Sequence, residues 1–467
     1  MNYQNLKDIW AEKYKVVLPQ LEKIKKIPCV ATAFNANIDA VIKIKGTQIE
    51  ELLKKYDLTL EELKNANADD FKKPQDIVRG IVKCFSRGIA EEWVTENAEN
   101  YKWLEKNLGY HHLQMGGQGG IIANVMALIG IKKVVAHTNS HPQLQAKQFL
   151  NLDNLFGIDE QGKLKKAAKI ARNEDIPMIH WIIEFTKGDK FAYKKQTFIC
   201  PKSNRFIVTY DPLNTNLVIN PYFKKYMQQN DVTYLILSGF HPILKENNGV
   251  QLIKNTAKDI KEWKKRNPKM IVHLEIASTQ DKVIRKEIIK KIAPIVHSAG
   301  LNERETIDLL EVMGQKRLAR KIEKETSAIN LFEALMFIKE KTKIPRIQLH
   351  MFGLYITIQD EQYPFKAEQN LKGMMTASVI SSSKALIGKL DKYENVIKTM
   401  GYEVSEKGID ELTQLSSKLG KKELLQKGHC AIGNYKISAV PTILIEKPKS
   451  LVGMGDTISS VSLVAGR

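Results

Sequence analysis

Short apolar runs and longer amphipathic stretches alternate along most of this chain. Residues 5–26 carry apolar side chains at helical spacing, and Pro19 kinks or divides the predicted helix. Residues 29–34 form an apolar run typical of a buried strand, and residues 41–45 alternate as a half-solvated strand does. Residues 47–106 are charged and mostly helical in pattern.

The C-terminal half predicts a parallel sheet. Apolar strands are expected at 234–237, 270–276, 294–297, 346–350 and 442–446, and helices between them at 247–266, 303–312 and 328–341. Such alternation favours a doubly wound sheet with helices on both faces. Ligands in that architecture lie outside the carboxyl ends of the strands.

A smaller β-rich unit is expected to interrupt this pattern. Residues 179–185 and 191–199 predict a hairpin, and 205–210 predict a third strand beside it. Because these pieces lie between parts of the α/β pattern, we expect a small discontinuous domain built from insertions.

Composition narrows the class of protein. A chain of 467 residues with 43 % hydrophobic positions is long enough for two or three domains and a sizeable core. Its 72 basic and 52 acidic residues give 72 − 52 = +20, which favours nucleic acid or small anionic ligands as partners. The basic residues are dispersed and form no uninterrupted tail, so nucleic acid is not expected.

Cysteines and apolar segments also restrict the expectations. Four scattered cysteines without CxxC spacing argue against a zinc site and against a secreted disulfide framework. No apolar run is long enough for a bilayer, and the first residues lack the apolar core of a signal peptide. We therefore expect a soluble cytoplasmic protein without a membrane partner.

Gly453-Met454-Gly455-Asp456 carries the clearest chemical signal. It follows the strand expected at 442–446 and a bend at Pro448, and a helix is expected from Thr457 onward. Glycines allow backbone amides to approach a ligand closely, and a helix N-terminus binds phosphoryl groups. Asp456 could then accept a proton from a hydroxyl. The alternative is a glycine turn with an N-cap aspartate.

Two further motifs place carboxylates at expected strand ends. Asn302-Glu303-Arg304-Glu305 follows the turn expected at 298–300, and His273-Leu274-Glu275 ends another strand. Carboxylates there suit magnesium, which takes oxygen ligands and keeps several waters. The alternatives are a capping-box role for Glu305 and a satisfied core position for His273.

Polar candidates for a sugar site lie in the N-terminal half. Asn35, Asn37 and Asp39 alternate, so they share one face of an extended segment. The sequence Gly116-Gly117-Gln118 offers amides before a helix expected at 121–130. An Asx-rich turn and a flexible loop are the alternatives. Arg205, beside Asn204 and Lys202, matches phosphate geometry, or is one more solvated cation.

Taken in order, these motifs resemble those of the ADP-dependent sugar kinases, the glucokinase and phosphofructokinase family known chiefly from archaea. That family belongs to the ribokinase-like superfamily. The resemblance spans the chain from about residue 30 to the end, and GxGD alone identifies only the superfamily. The chain looks more similar to the phosphofructokinase branch, notably to methanogen members, some of which accept both sugars.

The resemblance implies an α/β fold of the ribokinase-like type: a doubly wound, mostly parallel sheet flanked by helices, with a smaller discontinuous β-rich lid. The implied large domain covers residues 1–34, 116–177 and 213–467, and the implied lid covers 35–115 and 178–212. The implied glycolytic reaction moves the β-phosphoryl of ADP to a sugar hydroxyl and leaves AMP.

The resemblance also implies residue roles. Asp456 would be the general base and one of the groups near Mg²⁺, and Val452, Gly453, Met454 and Gly455 would hold phosphoryl oxygens and nucleotide. Glu305, with Asn302, would organise Mg²⁺ and its waters, supported by Glu275 and His273. Arg205 would reach a phosphate of the nucleotide or the transferring group. The implied sugar site contains Asn35, Asn37, Asp39, Gly116, Gly117, Gln118 and Lys202.

Acceptor specificity depends on one carboxylate and on nearby lysines. In this family a glutamate after the helix that follows the first lid strands goes with glucose, and Glu91, one step from Glu92, aligns there. A carboxylate accepts hydroxyl donors and repels a sugar phosphate. Lysines that could pair with a 6-phosphate are Lys187, Lys190, Lys194, Lys195 and Lys202. We therefore expect both fructose 6-phosphate and glucose as acceptors.

Several alternatives remain at this point. The enzyme could use a single sugar, or use ATP on the same fold. A catalytically silent sugar- or nucleotide-binding regulator is also compatible with the sequence, although Asp456 together with Glu305 argues against it. The expected state is a monomer or small homo-oligomer whose partners are ADP, fructose 6-phosphate and glucose.

Overall fold

Helices and strands alternate along the chain, which a computed structural model describes for residues 3–279 and 281–467. The α-helices are α1 (Tyr3–Tyr14), α2 (Val17–Ile24), α3 (Gly46–Tyr56), α4 (Leu60–Lys64), α5 (Pro74–Arg87), α6 (Ala98–Asn107), α7 (Gln118–Leu128), α8 (Gln143–Ala146), α9 (Pro212–Thr215), α10 (Pro221–Gln229), α11 (Gly249–Arg266), α12 (Lys282–Lys291), α13 (Glu303–Val312), α14 (Lys316–Lys324), α15 (Ala328–Thr342), α16 (Ala367–Ile387), α17 (Glu406–Leu419), α18 (Glu423–Lys427) and α19 (Met454–Ala465).

The strands are divided between a large sheet, a small sheet and one hairpin. In chain order they are β1 (Val30–Ala33), β2 (Asn37–Lys43), β3 (Glu91–Val94), β4 (His112–Gly116), β5 (Val134–Ala136), β6 (Leu155–Ile158), β7 (Leu164–Lys166), β8 (Ile179–Phe185), β9 (Lys190–Tyr193), β10 (Gln196–Ile199), β11 (Asn204–Tyr210), β12 (Tyr234–Leu237), β13 (Ile271–Glu275), β14 (Ser298–Leu301), β15 (Arg346–Met351), β16 (Leu354–Asp360), β17 (His429–Ile432) and β18 (Tyr435–Pro441).

The large sheet has the order β17-β18-β16-β15-β14-β13-β12-β1-β5-β6-β7. Its central strands, from β15 to β6, are parallel, and antiparallel strands close both edges. Strand β1 pairs with β5 on one side and with β12 on the other, so the winding direction reverses between β1 and β12. This confirms the expected doubly wound α/β fold and places a ligand-binding crevice at that reversal.

The small sheet has the order β3-β11-β8-β2-β4, with strands drawn from distant parts of the sequence. One face packs on α3, α5 and α6 around a second apolar core that contains Trp93, Trp181 and Phe206. Because side chains alternate along a strand, residues between those core positions point to the opposite, open face. That open face carries Asp39, Glu92 and His180.

The hairpin expected from 179–185 and 191–199 is wrong. Strand β8 pairs with β2 and β11, while β9 and β10 form their own hairpin around Lys194 and Lys195, both at positive φ. Two residues at positive φ close a tight two-residue hairpin, which makes 191–199 two short strands rather than one long one.

Two of the strands expected in the C-terminal half are also misplaced. The third parallel strand there is β14, Ser298–Leu301, and not 294–297, where Pro294 lies in a short 3₁₀ turn. The small residues predicted as a turn form a buried strand that pairs with β13 and β15. Their small size suits the close approach of α19, since a Cβ on Gly300 would lie 2.2 Å from Ser459 Oγ. The segment 442–446 is not a strand, since β18 ends at Pro441.

Helix starts near glycines come earlier than expected. The last helix begins at Met454 rather than Thr457, and α7 begins at Gln118 rather than Ile121. Glycines at these positions are accepted in the first turn because the neighbouring chain leaves no room for a Cβ. The single helix expected over 5–26 is two, α1 and α2, and Pro19 lies in the first turn of α2, where a missing N–H costs nothing.

Candidate active site

A cavity of about 230 Å³ lies at the carboxyl edge of the large sheet. The ends of β13 and β15 and the N-termini of α13 and α19 meet there, as the winding of the sheet requires. The cavity is lined by Gln118, Glu275, Ile276, Asn302, Glu305, His350, Leu451, Gly453, Met454, Gly455 and Asp456. The structure therefore brings the GxGD, HxE and NxxE motifs together.

The first turn of α19 forms one wall of this cavity. Gly453 has φ of 61°, and a Cβ there would lie 2.8 Å from Ile121, so both backbone and space require glycine. A Cβ on Gly455 would lie 2.7 Å from His350 Nε2. First-turn N–H groups have no partner within their own helix and carry the positive end of its dipole. Val452 precedes this turn, and its N–H donates to Ser450 Oγ at 3.2 Å.

Asp456 lies in that turn and is bonded to Gln118, whose Nε2 donates to Oδ1 at 2.8 Å. Burial raises the pKa of Asp456, while the Gln118 hydrogen bond and the charge of Lys384 oppose the shift. A buried carboxylate of raised pKa at a phosphoryl-binding turn is suited to accept a proton from an attacking hydroxyl.

Glu305 and Asn302 form a reciprocal capping box at the start of α13. The Asn302 N–H donates to Glu305 Oε2 at 2.8 Å, and the Glu305 N–H donates to Asn302 Oδ1 at 3.0 Å. Glu305 nevertheless lines the cavity, so the capping alternative and the site prediction describe the same residue. Burial raises the pKa of Glu305 to about 8, and the carboxylate of Asp456 adds to the shift.

Glu275 is held by a buried chain of hydrogen bonds. His273 Nε2 lies 2.9 Å from Glu275 Oε1, and its Nδ1 lies 2.9 Å from Ser298 Oγ. Arg346, which is fully buried, donates to the same Ser298 Oγ at 2.9 Å. Burial lowers the pKa of His273, so the ring is neutral, and burial raises the pKa of Glu275. His273 is thus both a satisfied core histidine and a support for Glu275.

Arg346 belongs to a wider network of uncharged acceptors. Its guanidinium also donates to Asn370 Oδ1 at 2.9 Å, to Gln348 Oε1 at 2.6 Å and to Ser462 Oγ at 3.2 Å. Asn370 comes from α16 and Ser462 from α19, so one buried side chain ties both helices to the strands behind the cavity.

The three carboxylates that were predicted to hold a metal all line one cavity, but they do not converge on a single point. Within residues 3–279 and 281–467, no three Asp, Glu, His or Cys side chains form a cluster able to hold a metal ion by themselves. Burial raises the pKa of Glu275 and of Glu305, and the charge of Asp456 adds to both shifts, so the cavity favours an added positive charge. Magnesium usually keeps several waters and is bound through one or two carboxylates plus phosphate oxygens, which this donor set fits.

The open face of the small sheet carries a second polar group. His180 Nε2 lies 3.0 Å from Asp211 Oδ2, and Glu92 Oε1 accepts from Thr209 Oγ1 at 2.6 Å. Asp39 pairs in register with His180. Burial lowers the pKa of His180, but Asp211 and other carboxylates more than offset it and raise the pKa to about 9. A protonated histidine among carboxylates offers both donors and acceptors to hydroxyl groups.

Asn37, Asp39, Gly116 and Gly117 are brought into contact, as the sequence predicted. Asn37 Nδ2 donates to Asp39 Oδ1 at 3.3 Å. A Cβ on Gly116 would lie 2.1 Å from Asp39 Oδ1, and one on Gly117, at φ of 71°, would lie 2.5 Å from Asn37 Oδ1. Asn37 Oδ1 is buried without a hydrogen-bond partner among the described residues. Both glycines are therefore required by the close approach of β4 to β2.

Asn35 and Gln118 connect this group to the reversal point of the large sheet. Asn35 Oδ1 accepts from Ser238 Oγ at 3.1 Å, at the end of β12. The Gln118 side chain bonds Asp456 and also accepts from the Gly239 N–H at 3.4 Å. Asn35 thus holds the crossing between the sheets, and Gln118 reaches the predicted base.

Glu91 is not on the open face. Its carboxylate forms an ion pair with Lys83 at 2.7 Å and accepts from Trp93 Nε1 at 2.9 Å, on the side of the helices. Glu92, one residue further, faces the cleft with His180 and Thr209. Of the two neighbouring glutamates, Glu92 and not the predicted Glu91 therefore lies on the open face, since one residue reverses the face of a strand.

The predicted phosphate-binding cations are separated by the fold. Arg205 lies on the open face, in register with Glu184. Lys202 is exposed beside Gly88, and Lys194 forms an ion pair with Asp57 at 2.9 Å. The β9–β10 hairpin packs on α3, on the side away from the cleft, so its lysines are not placed for a sugar phosphate. Lys43 shares the open face instead.

An apolar cavity of about 490 Å³ adjoins the first one through Met454 and His350. It lies between the end of β15, the 442–448 segment and α16, and the sequence analysis did not predict it. Its walls include Met351, Phe352, Tyr355, Ile443, Ile445 and Ile458. A cavity of this size and lining accommodates an aromatic base with its ribose.

Other contributors were also missed by the sequence analysis. His180 and His350 lie on strands, and Asp211 is the N-cap of α9 directly after β11, so their neighbours became known only from the strand pairing. The pattern of period two in 179–185 was the one available signal for His180. Among the described residues, no helix is long and apolar enough to cross a membrane.

Known proteins resemble this chain in sequence and in structure. The family described as ADP-specific phosphofructokinase/glucokinase conserved region matches residues 28–465. An ADP-dependent glucose/glucosamine kinase of Pyrococcus furiosus is 29 % identical over 464 residues, covering 97 % of this chain and 98 % of that protein.

Two solved structures are similar over the whole chain. One is the last common ancestor of ADP-dependent phosphofructokinases from Methanosarcinales, at TM-score 0.86 and 28 % identity, covering 100 % of this chain and 99 % of the other. Another is an ADP-dependent kinase in complex with fructose-6-phosphate and ADPβS, at TM-score 0.81 and 28 % identity, covering 100 % and 98 %.

Proposed function

The chain belongs to the ADP-specific phosphofructokinase and glucokinase family, and on that premise we propose that it phosphorylates both fructose 6-phosphate and glucose. As a member it is an ADP-dependent phosphotransferase that acts on sugars. The products would be AMP with fructose 1,6-bisphosphate or glucose 6-phosphate.

One observation carries the proposal. Gln118 follows the glycines that pack on Asn37 and Asp39, and its amide bonds Asp456 at 2.8 Å. The hydroxyl-binding face and the candidate base are therefore joined through two consecutive residues, Gly117 and Gln118. A sugar held by the small sheet would present a hydroxyl beside Asp456, which is the placement that in-line transfer needs.

Different residues would have separate roles in the phosphoryl transfer. Asp456 would take the hydroxyl proton onto its carboxylate, and the first-turn amides of α19 at Met454 and Gly455 would stabilise the transferring oxygens. Arg205 would bring a positive charge to the phosphates from the open face of the small sheet. The adjoining apolar cavity would hold the adenosine of ADP.

Magnesium would be held near Glu305, Glu275 and Asp456, largely through water, and would neutralise phosphate charge. Closure of the small sheet over the cleft would exclude water that otherwise hydrolyses ADP.

Evidence on the acceptor points in both directions. The relative from Pyrococcus furiosus is named a glucose/glucosamine kinase, and a solved neighbour contains fructose-6-phosphate. In this chain Glu92, Asp39 and Asp211 favour a neutral polyol, while Lys43 and Arg205 supply cations on the same face for a sugar phosphate. This mixture supports the dual specificity.

The test is AMP formation by purified protein with ADP and magnesium, run separately with glucose and with fructose 6-phosphate, with ATP as a control donor. AMP with both sugars is the expected result. AMP with one sugar would reduce the proposal to a single-substrate kinase, and turnover with ATP but not ADP would overturn the donor. No turnover with any pair would favour a silent binding protein.

A further inference from the structure

Lys384 is a buried lysine beside the predicted phosphoryl site. It lies near the end of α16 with 9 % of its surface exposed. Its Nζ donates to the Gly453 carbonyl at 3.2 Å and to Thr457 Oγ1 at 3.3 Å, both at the start of α19. Among the described residues it forms no ion pair, whereas buried Lys339 is paired with Asp360.

This position is unfavourable for stability in the protein alone. Removing an ammonium from water is unfavourable unless a counter-charge is present. The N-terminus of a helix is also its positive end, where cations destabilise. Burial lowers the pKa of Lys384 to about 8, and the carboxylate of Asp456 offsets this only in part. An anion bound at the same turn would remove both penalties.

We infer that Lys384 is a positioning residue for phosphoryl transfer: its ammonium fixes the Gly453 turn and adds a positive charge behind the amides that would receive the phosphoryl group. The inference rests on the proposed function, because it assigns the transferring group to this turn. The contact is tight, since a Cβ on Gly453 would lie 3.1 Å from Lys384 Nζ.

The neighbouring hydrogen bonds show how the turn is fixed. The Gly453 carbonyl also accepts from Thr457 Oγ1 at 2.8 Å and from the Thr457 N–H at 3.1 Å. With three donors on this carbonyl, the peptide direction is set, and the N–H groups of the turn point the other way, toward the cavity. Lys384 acts through this turn and through its field, without touching substrate.

Lys384→Met is the decisive variant, because methionine has a side chain of similar length without the charge. We expect kcat to fall about tenfold to hundredfold, somewhat less than the loss typical of deleting a direct oxyanion donor. The KM for the sugar should stay within about twofold, since uniform binding is not affected. The midpoint of thermal unfolding should stay or rise, because a buried unpaired charge is gone.

Lys339→Met is the matched control. It removes a lysine that is equally buried but is paired with Asp360 and lies away from the cleft. That variant leaves a carboxylate without its partner, so we expect the opposite pattern: a lower unfolding midpoint with kcat unchanged.

A second measurement does not need turnover. Inorganic phosphate should raise the unfolding midpoint of the wild type, and the rise should be at least halved in Lys384→Met. Wild-type kcat or an unchanged phosphate effect in the variant would overturn the inference. A fall of kcat together with a fall of the unfolding midpoint would also overturn it, because Lys384 would then have a purely structural role. If the wild type forms no AMP, the proposed function fails, and the phosphate shifts alone decide the role of Lys384.

Discussion

The open face of the small sheet and the carboxyl edge of the large sheet are both acidic, but they balance their charge differently. On the small sheet, His180 lies 3.0 Å from Asp211, and its pKa of about 9 keeps it protonated beside Asp39 and Glu92. This region contains its own counter-charge.

The edge of the large sheet has no charged histidine of this kind, and its cations, Lys384 and Arg346, donate to uncharged acceptors. Its histidines, His273 and His350, are buried and neutral, and burial lowers the pKa of His350 to about 4. The carboxyls of Glu275 and Glu305 have raised pKa values instead. The difference shows which ligand each region is suited to: uncharged hydroxyl groups on the small sheet, and a cation together with phosphate at the edge.

The largest effect should come from removing the base at the edge. Asp456→Asn keeps the hydrogen bond to Gln118 available and removes the proton acceptor, so kcat should fall about 10²- to 10⁴-fold. Sugar binding, which we propose for the small sheet, should remain, as measured by calorimetry with the sugar alone. Near-wild-type kcat in this variant would show that another group takes the proton.

The next largest loss of activity should come from Gly117, which with Gln118 connects the small sheet to Asp456. In Gly117→Ala a Cβ would lie 2.5 Å from Asn37 Oδ1, so β4 and β2 must separate and Gln118 must move away from Asp456. We expect a loss of kcat/KM of about tenfold or more, in line with small misplacements of reacting groups.

Gly109→Ala is the control for Gly117→Ala. Gly109 has φ of 61°, close to the 71° of Gly117, but a Cβ there would meet nothing within 4 Å. Gly109→Ala should lose about 1–2 kcal/mol of stability from its positive φ, read from denaturant unfolding. Gly117→Ala should lose more, because its ψ of 133° lies outside the left-handed helical region and its Cβ meets Asn37. Equal losses of activity in the two would mean that strain, not the contact with Asn37, is responsible.

Adjacent glutamates on β3 test the small sheet by itself. Glu92→Ala should lower kcat/KM for glucose by about tenfold to hundredfold, the range for a lost hydrogen bond to a charged group. Glu91→Ala should leave that ratio unchanged and lower the unfolding midpoint, because Lys83 loses its ion-pair partner and Trp93 Nε1 loses its acceptor. The reverse outcome would put Glu91 in the cleft.

The smallest effect concerns pH and the internal counter-charge. The folded pKa of His180, about 9, lies above the ordinary value of 6.5. Its contribution to stability is therefore complete below about pH 6.5 and is lost as pH rises through 9. Unfolding midpoints between pH 6 and 10 should fall more steeply for the wild type than for His180→Gln. Parallel curves would contradict a protonated His180.

Local pattern predicted part of the site and missed the rest for a definable reason. Asn37 and Asp39 were recognised because alternation on one strand is a property of the sequence itself, and Asp456 because the glycines around it mark a turn. Glu92 was missed in favour of Glu91, since the face of a strand depends on pairing that one sequence does not contain. His350 and Lys384 reach the site from distant elements.

The same limit applies to the fold. The parallel strands β12 and β13 were predicted within about a residue because they are continuous apolar runs between helices. Strand β14 was placed four residues early, because its Ser-Ala-Gly sequence resembles a turn and its strand conformation depends on pairing with β13 and β15. The domain limits and the oligomeric state stay predictions.

Arg346 has a consequence for how this protein can vary over generations. Its guanidinium is shared among Ser298, Gln348, Asn370 and Ser462, which come from two strands and two helices. A change in any one of the four leaves a buried donor without an acceptor, so viable changes must arrive in compatible sets. Chimaeras that exchange α16 or α19 with a relative of about 29 % identity would combine mismatched sets. We therefore expect the residues around Arg346 to tolerate substitution only in combination, whereas exposed loops should tolerate single changes.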